Sequence, residues 1–284
     1  ASPVWIFTMN SQPKKSSPFN VLLAVIIAAA VCLLIVILCI YFSGIRYLKL
    51  STSDGGTVKY FGKVDSDGNL SNGKLYYSDG ITADVDGAKG TITYSNGDIY
   101  TGSITGLGKD GVGTLAYANG DIYEGDFKNN SIEGYGIFTF ANGDRYEGNF
   151  VAGAKEGEGT YTWSDGSVYI GEFSANRKNG HGKYTWSDGS VYDGEYVNDV
   201  KEGTGTFVFT NGDKYVGDFK DDVRTGYGTY TWANGEIYEG EFLNNKLHGE
   251  GKYTWPSGRV YTGYFENGVI VRATETEGVT SVTE

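Results

Sequence analysis

Hydrolysis by a side-chain nucleophile needs a base beside it, and the only two histidines in 284 residues are His181 and His248. His181 stands in Gly180-His181-Gly182 and His248 just before Gly249. Related segments carry Val112, Tyr135 and Glu158 at the place of the first, and Glu133, Glu156 and Thr225 at the place of the second. Positions that vary so freely suit a surface better than a reaction centre. The run Asp65-Ser66-Asp67-Gly68-Asn69 has the oxygen donors of a calcium loop, but Leu70 stands where an EF-hand turn needs glycine. It reads as a polar turn. Cys32 and Cys39 both lie in one apolar run, so beyond residue 42 no thiol exists to form a disulfide, bind a metal or attack a substrate. The chain is read as non-enzymatic, with no catalytic residue, metal ligand or cofactor.

The remaining chemistry is carboxylate. Glu124, Asp126, Glu147, Glu172, Asp193, Glu195, Asp218, Glu239 and Glu241 recur at a regular interval. They predict an acidic stripe that either keeps a sheet face soluble and unstacked or docks a basic protein or loosely held cations. Lys14, Lys15, Arg46 and Lys49 are the only charges in residues 1–50, so the rest carries 19 basic and 35 acidic side chains, a net −16. Such a surface repels phosphate backbones and anionic headgroups, which disfavours nucleic acid and peripheral docking on anionic membrane.

The elements that hold these carboxylates follow from the interval, which is 23 residues. The segment GEGTYTWSDGSVYIGEFSANRKN, residues 157–179, shows one unit whole. From residue 88 seven full units and a truncated eighth follow one another. Two alternating runs, Thr160 to Trp163 and Val168 to Phe173, flank Ser-Asp-Gly. Asn-Gly or Asp-Gly between alternating runs predicts a hairpin, because both residues tolerate positive φ. The turn of the last unit, after Pro256-Ser257, is expected to differ. Strand alternation puts Tyr161, Trp163, Tyr169, Gly171 and Phe173 on one face and Thr160, Thr162, Ile170 and Glu172 on the other. The first face is the expected core, where rings settle over glycines and neighbouring units share an aromatic layer. Its other members are Tyr123, Gly125, Phe127, Tyr146, Gly148, Phe150, Trp186, Tyr192, Gly194, Tyr215, Gly217, Phe219, Trp232, Tyr238, Gly240, Phe242, Trp255 and Tyr261. The fold class is all-β, an elongated, twisted, single-layer antiparallel meander; eight hairpins predict 16 strands and a rod of about 75 Å.

Ahead of the rod, Val21 to Phe42 reads VLLAVIIAAAVCLLIVILCIYF, without charge, glycine or proline. As a helix it reaches roughly 33 Å, enough to cross a bilayer. It is longer than the apolar core of a cleaved signal, and Tyr41 and Phe42 close it in place of a small-x-small site. The flanking charges nearly balance; a short basic tail favours the N-terminus inside and the repeats outside the cytoplasm. The expected division is a tail over 1–20, a transmembrane helix over 21–42, a juxtamembrane linker over 43–59, degenerate capping repeats over 60–87, the repeat domain over 88–268 and a disordered acidic, Thr-rich tail over 269–284.

Tyr-x-Gly-x-Phe, a variable charged loop, Gly-x-Gly and an Asn/Asp-Gly turn together resemble the MORN (membrane occupation and recognition nexus) repeat over residues 88–268. The resemblance implies a curved antiparallel meander that scaffolds, with protein binding, homodimer formation or lipid binding in different members, and no catalytic residues. Ala88 replaces the usual glycine, and Ile104 replaces a ring, so looser packing is expected near residue 100. The leading expectation is a single-pass membrane scaffold or tether at the cell surface that binds protein partners and self-associates through its terminal strand edge. The alternatives are a module for wall glycan or lipid headgroups, and the same scaffold facing the cytoplasm.

Overall fold

The computed structural model describes residues 18–51 and 56–273. Most of the expected N-terminal tail, including Lys14 and Lys15, and residues 274–284 lie outside the described residues.

The apolar run forms α1 (Pro18–Phe42), whose stretch Val25–Phe42 has a mean hydropathy of 3.2 and is not buried against the rest of the protein. The helix starts three residues before the expected Val21. Proline suits a first helical turn, where its missing N–H would have no partner anyway. Ser43 N–H still donates to Cys39 O at 2.9 Å, and Gly44 then takes a left-handed φ of 76° and ends the helix. Arg46 folds back, its guanidinium 5.0 Å from the Tyr41 ring.

Part of the expected juxtamembrane linker is strand. Its residues form β1 (Ile45–Ser51), paired antiparallel with β2 (Thr57–Val64) so that Leu48 faces Tyr60. From there each strand pairs antiparallel with the next, giving one open meander of 21 strands: the 16 expected of the eight hairpins, between residues 91 and 266, and five more outside them. At about 4.8 Å per strand the sheet runs on the order of 100 Å. The last strand, β21 (Val269–Ala273), occupies the start of the expected disordered tail, because Asn267 and Gly268 turn the chain back onto its neighbour.

Two kinds of turn alternate. At Asp165-Gly166 only glycine is left-handed (φ 89°), and Gly166 N–H donates to Trp163 O at 3.0 Å. This is a type I turn closed by glycine, not the mirror-image turn expected from the Asp-Gly signal. The turn at Gly258 has the same form, with its N–H 2.9 Å from Trp255 O, since proline suits the second position of a type I turn. The mirror-image two-residue turn instead falls in the supposed variable loop, where Ala175 and Asn176 have φ of 47° and 72°. Asn129-Asn130, Asn198-Asp199, Asp221-Asp222 and Asn244-Asn245 repeat it. Each unit is therefore joined to the next by a hairpin as tight as its own.

The core face carries two rows of rings. In the inner row Tyr100, Tyr123, Tyr146, Tyr169, Tyr192, Tyr215 and Tyr238 have no exposed surface. From Tyr123 on, each meets the Phe or Tyr of its own unit and of the next edge-on, as Tyr169 meets Phe173 at 5.1 Å and Tyr196 at 5.4 Å, while Tyr100, with Ile104 in its own unit, meets only Phe127. A single-layer sheet hides these rings because each lies flat over a facing glycine pair. Gly171 opposes Gly182, and a Cβ on Gly171 would meet Gly182 Cα at 2.5 Å and Tyr169 Oη at 2.8 Å. The Tyr169 hydroxyl donates to Glu172 O at 3.0 Å, so no polar atom is wasted. Lys155, Lys178, Lys201 and Arg224 then lay their stems across the rings, with Lys155 Nζ 4.6 Å from the centre of Tyr161.

Near residue 100 the expected irregularity takes a specific form. Tyr100 is fully buried, but the left-handed residue moves from the Ala88 position to Gly90 (φ 65°). The chain turns there, and β5 (Thr91–Tyr94) is only four residues long.

Candidate partner-binding faces

All nine stripe carboxylates lie on second strands, on the face away from the buried tyrosines, as alternation requires. Six of them have local partners. Opposite each Gly-x-Gly the pairing shifts register, as between Gly171 and Phe173, and the first glycine of the motif is left-handed (Gly180, φ 99°). The N–H that follows it needs an acceptor. Asp126 takes that of Tyr135 at 3.3 Å, Glu172 that of His181 at 3.1 Å and Asp218 that of Tyr227 at 3.1 Å. Glu147 pairs with Arg145 at 2.6 Å and accepts from the Tyr135 hydroxyl at 2.7 Å, and that hydroxyl together with the guanidinium holds its carboxyl below the usual range. Asp193 faces His181 Nε2 at 3.2 Å, and Glu239 faces Lys252 at 3.3 Å. The stripe is thus a row of bulge acceptors and cross-strand pairs before it is anything else.

Another set of polar groups, overlooked in the sequence, ties successive units together along both sheet edges. On one edge an acid two residues before the buried tyrosine reaches the next turn: Asp98 accepts from Ala118 N–H at 2.9 Å, Asp121 from Ala141 at 2.8 Å, Asp144 from Ser164 at 2.9 Å and Asp213 from Ala233 at 2.8 Å. Their signal was legible as Asn-Gly-Asp repeating at 96–98, 119–121, 142–144 and 211–213. On the other edge Asn130, Asn176, Asp199, Asp222 and Asn245 accept the N–H of Lys109, Lys155, Lys178, Lys201 and Arg224 at 2.9 to 3.1 Å.

Burial would raise the Asp144 carboxyl, but the Ser164 N–H and the Tyr161 hydroxyl at 2.8 Å outweigh it and hold it below the usual range. A depressed acid stabilises the fold above its ordinary pKa and ceases to as pH falls through its folded value. Asp144→Ala should cost about 1–3 kcal/mol, with Asp144→Asn closer to wild type because it keeps one acceptor. Chemical denaturation at pH 7 checks this, and the difference should shrink in acid.

The second row of rings on the core face is only half-buried. From Tyr117 through Phe138, Phe140, Tyr161, Trp163, Tyr184, Trp186, Phe207, Phe209, Tyr230, Trp232 and Tyr253 to Trp255, consecutive centroids are 4.4 to 5.9 Å apart. Among the described residues no second layer covers them. The four tryptophans that alternation assigns to the core, and Tyr161 with them, therefore belong to an open ladder at its margin; Tyr261 is also only partly buried, while the second-strand tyrosines from Tyr123 to Tyr238 and the rings Phe127, Phe150, Phe173, Phe219 and Phe242 are sealed.

The two histidines sit six strands apart, about 29 Å along the sheet, and do not form one site. His181 is exposed beside Asp193, and the His248 ring lies 6.4 Å from Tyr264. Asp65 spends its carboxylate on the N–H groups of Asp67 (3.0 Å) and Asn69 (2.8 Å) and on the Asn69 amide (3.0 Å), which hold it below the usual range. Among the described residues no cluster of three or more His, Cys, Asp or Glu is placed to hold a metal.

Among solved structures, the chain is similar to the TCP10 domain of Danio rerio CPAP bound to a STIL peptide, with TM-score 0.43 and 14% identity over 81% of this chain and 100% of that one. It is also similar to the SAS-4 TCP domain of Drosophila melanogaster in complex with a proline-rich motif of Ana2, with TM-score 0.23 and 13% identity over 78% and 90% of the two chains. At these scores no partner or activity carries across. No curated protein sequence matches the chain. The MORN repeat model matches seven times without a break, at residues 108–122, 123–145, 146–168, 169–191, 192–214, 215–237 and 238–258. From the second match on, each opens on one of the buried second-strand tyrosines. These matches span more than half of the chain, and the protein belongs to the MORN repeat family.

Proposed function

We propose that the protein is a membrane-anchored, non-catalytic scaffold whose β-rod holds protein partners, with α1 crossing the bilayer once, N-terminus inside, and the repeats outside the cytoplasm. The observation that carries the binding role is the ladder from Tyr117 to Trp255, a continuous row of half-buried rings on an open sheet. An apolar patch of this extent marks an interaction surface on a soluble domain. The acidic face, with most of its carboxylates occupied, adds solubility and some preference for basic partners. Among the described residues the terminal strand β21 pairs on one side only and exposes Val269, Ile270 and Val271, which suits pairing with a second copy.

Cross-linking in native membranes followed by partner capture tests the reading. Trp186→Ser with Trp232→Ser should reduce capture at least tenfold, whereas charge reversal at Glu172, Glu195 and Glu241 should change it less than threefold. The opposite pattern would move the binding role to the acidic face. Protease shaving of intact cells should remove the repeats; full protection would place the scaffold in the cytoplasm. Half-buried indole faces also stack on sugars, so Trp163, Trp186, Trp232 and Trp255 favour a second reading, binding to wall glycan. Retention on purified glycan at both low and high salt, with no protein captured, would support it.

A further inference from the structure

The aromatic ladder has one break, and the break is a cavity. Tyr77 and Tyr94 are 6.0 Å apart, and contact resumes at Tyr117 with Phe138, but Tyr94 and Tyr117 do not meet. Every unit from 138 onward has a ring between such a pair, at Phe138, Tyr161, Tyr184, Phe207, Tyr230 and Tyr253, whereas here the position is Leu115. A cavity of about 490 Å³ opens between the Tyr94 and Tyr117 rings over Leu115. It is large enough to take a side chain with its flanking backbone.

Lys109 reaches into this cavity. In the equivalent place Lys155, Lys178 and Arg224 each lie over the ring six residues on, at 4.6, 5.1 and 5.2 Å. For Lys109 that ring is absent, because residue 115 is leucine. Its ammonium rests on Tyr94 at 5.2 Å, Phe127 at 5.7 Å and Tyr100 at 5.9 Å and donates to the Tyr94 hydroxyl at 3.2 Å. The cation is desolvated, which pushes it down to about 8, and the surface on the Leu115 side stays open to a further π face. Asp79 and Asp98 stand at the rim.

We infer that this cavity receives an aromatic side chain, tryptophan or tyrosine flanked by a basic residue, from a partner polypeptide. The ring completes the ladder between Tyr94 and Tyr117 and faces Lys109, and the basic neighbour meets Asp79 and Asp98. The inference rests on the protein-binding reading above and gives it a sequence preference, at a site outside the ladder that carries that reading.

The probe is N-acetyl-Lys-(5-fluorotryptophan)-Lys-amide, titrated into the full chain in nanodiscs and followed by fluorine NMR linewidth. Binding should fall at least tenfold in Leu115→Phe, which puts back the ring that neighbouring units carry and so suits the fold. Glu-flanked peptide should bind at least threefold more weakly than Lys-flanked peptide, a difference that Asp79→Asn narrows. Equal binding to wild type and Leu115→Phe would overturn the site. Free 5-fluoroindole binding as tightly as the peptide would overturn the polypeptide partner. Peptide binding lost in Leu115→Phe, with partner capture unmoved by Trp186→Ser and Trp232→Ser, would sink the ladder reading and keep this site.

Discussion

Gly171→Val is expected to divide the rod into two independently unfolding halves. The valine Cβ would stand 2.5 Å from Gly182 Cα and 2.8 Å from Tyr169 Oη, and neither can yield. Gly182 is backbone in the adjacent strand, and Tyr169 has no exposed surface into which its ring could turn. The strain falls on β12 (Val168–Ser174) and β13 (Arg177–Thr185), in the middle of an array where each unit is stabilised by its neighbours. Overpacking a close contact costs about 1–3 kcal/mol, and loss of the buried tyrosine would bring the total above about 3 kcal/mol. Tryptophan fluorescence during denaturation should resolve two transitions in place of one. Ile170→Val, on the exposed face next door, should leave a single transition within about 0.5 kcal/mol of wild type.

Alkali is expected to unfold the rod cooperatively just above pH 10. Burial pushes Tyr100, Tyr146 and Tyr238 up to about 12, helped by Asp110, Glu156 and Glu241 respectively. Tyr123, Tyr169, Tyr192 and Tyr215 are raised further, again by burial first and then by carboxylates such as Asp126, Glu158, Glu195 and Asp218. A tyrosine whose folded pKa exceeds its ordinary value of about 10 costs nothing below that value. As pH rises past it the unfolded chain sheds protons that the folded chain keeps, and stability falls by up to about 1.4 kcal/mol per pH unit for each group. Several such groups in one cooperative sheet outweigh a net stability of the usual size. Lys109 acts in the opposite sense. Its folded value of about 8 lies below its ordinary one, so its cost is relieved as pH climbs from about 8 to 10, giving a shallow rise before the fall. Thermal unfolding across this range, with tyrosinate absorbance recorded alongside, checks both. Tyrosines that ionise freely near pH 10 in a folded rod would contradict the buried inner row.

The fold was legible in the sequence because the repeat averages over accidents. A strand period of two, read through seven copies, places Tyr169 inward and Glu172 outward, and both lie there. Two signals were misassigned for physical reasons. Asp165-Gly166 carries the residues of a mirror-image turn, yet a type I turn with one left-handed glycine satisfies the same composition. Asn-Asn, Asn-Asp and Asp-Asp pairs read as a charged loop, although these residues tolerate the left-handed conformation that a two-residue hairpin demands twice. Strands beyond the regular units, Ile45–Ser51 and Val269–Ala273, were missed because no repeat supports them and pairing with a neighbour decides their structure. The candidate faces were harder to read. Alternation states which side a ring takes but not how much of it neighbours cover, so sealed rings such as Tyr169 and open ones such as Tyr161 and Trp163 look alike in sequence.

Hydroxyl-radical footprinting in native membranes, compared with the purified chain in nanodiscs, tests directly whether the ladder is the partner-binding face. Trp163, Trp186 and Trp232 should be at least threefold less oxidised in native membranes, while Tyr135 and Tyr227 on the acidic face, both exposed, react equally in the two samples. Equal oxidation of the tryptophans, with Tyr135 and Tyr227 protected, would contradict the account and assign the partner to the opposite face.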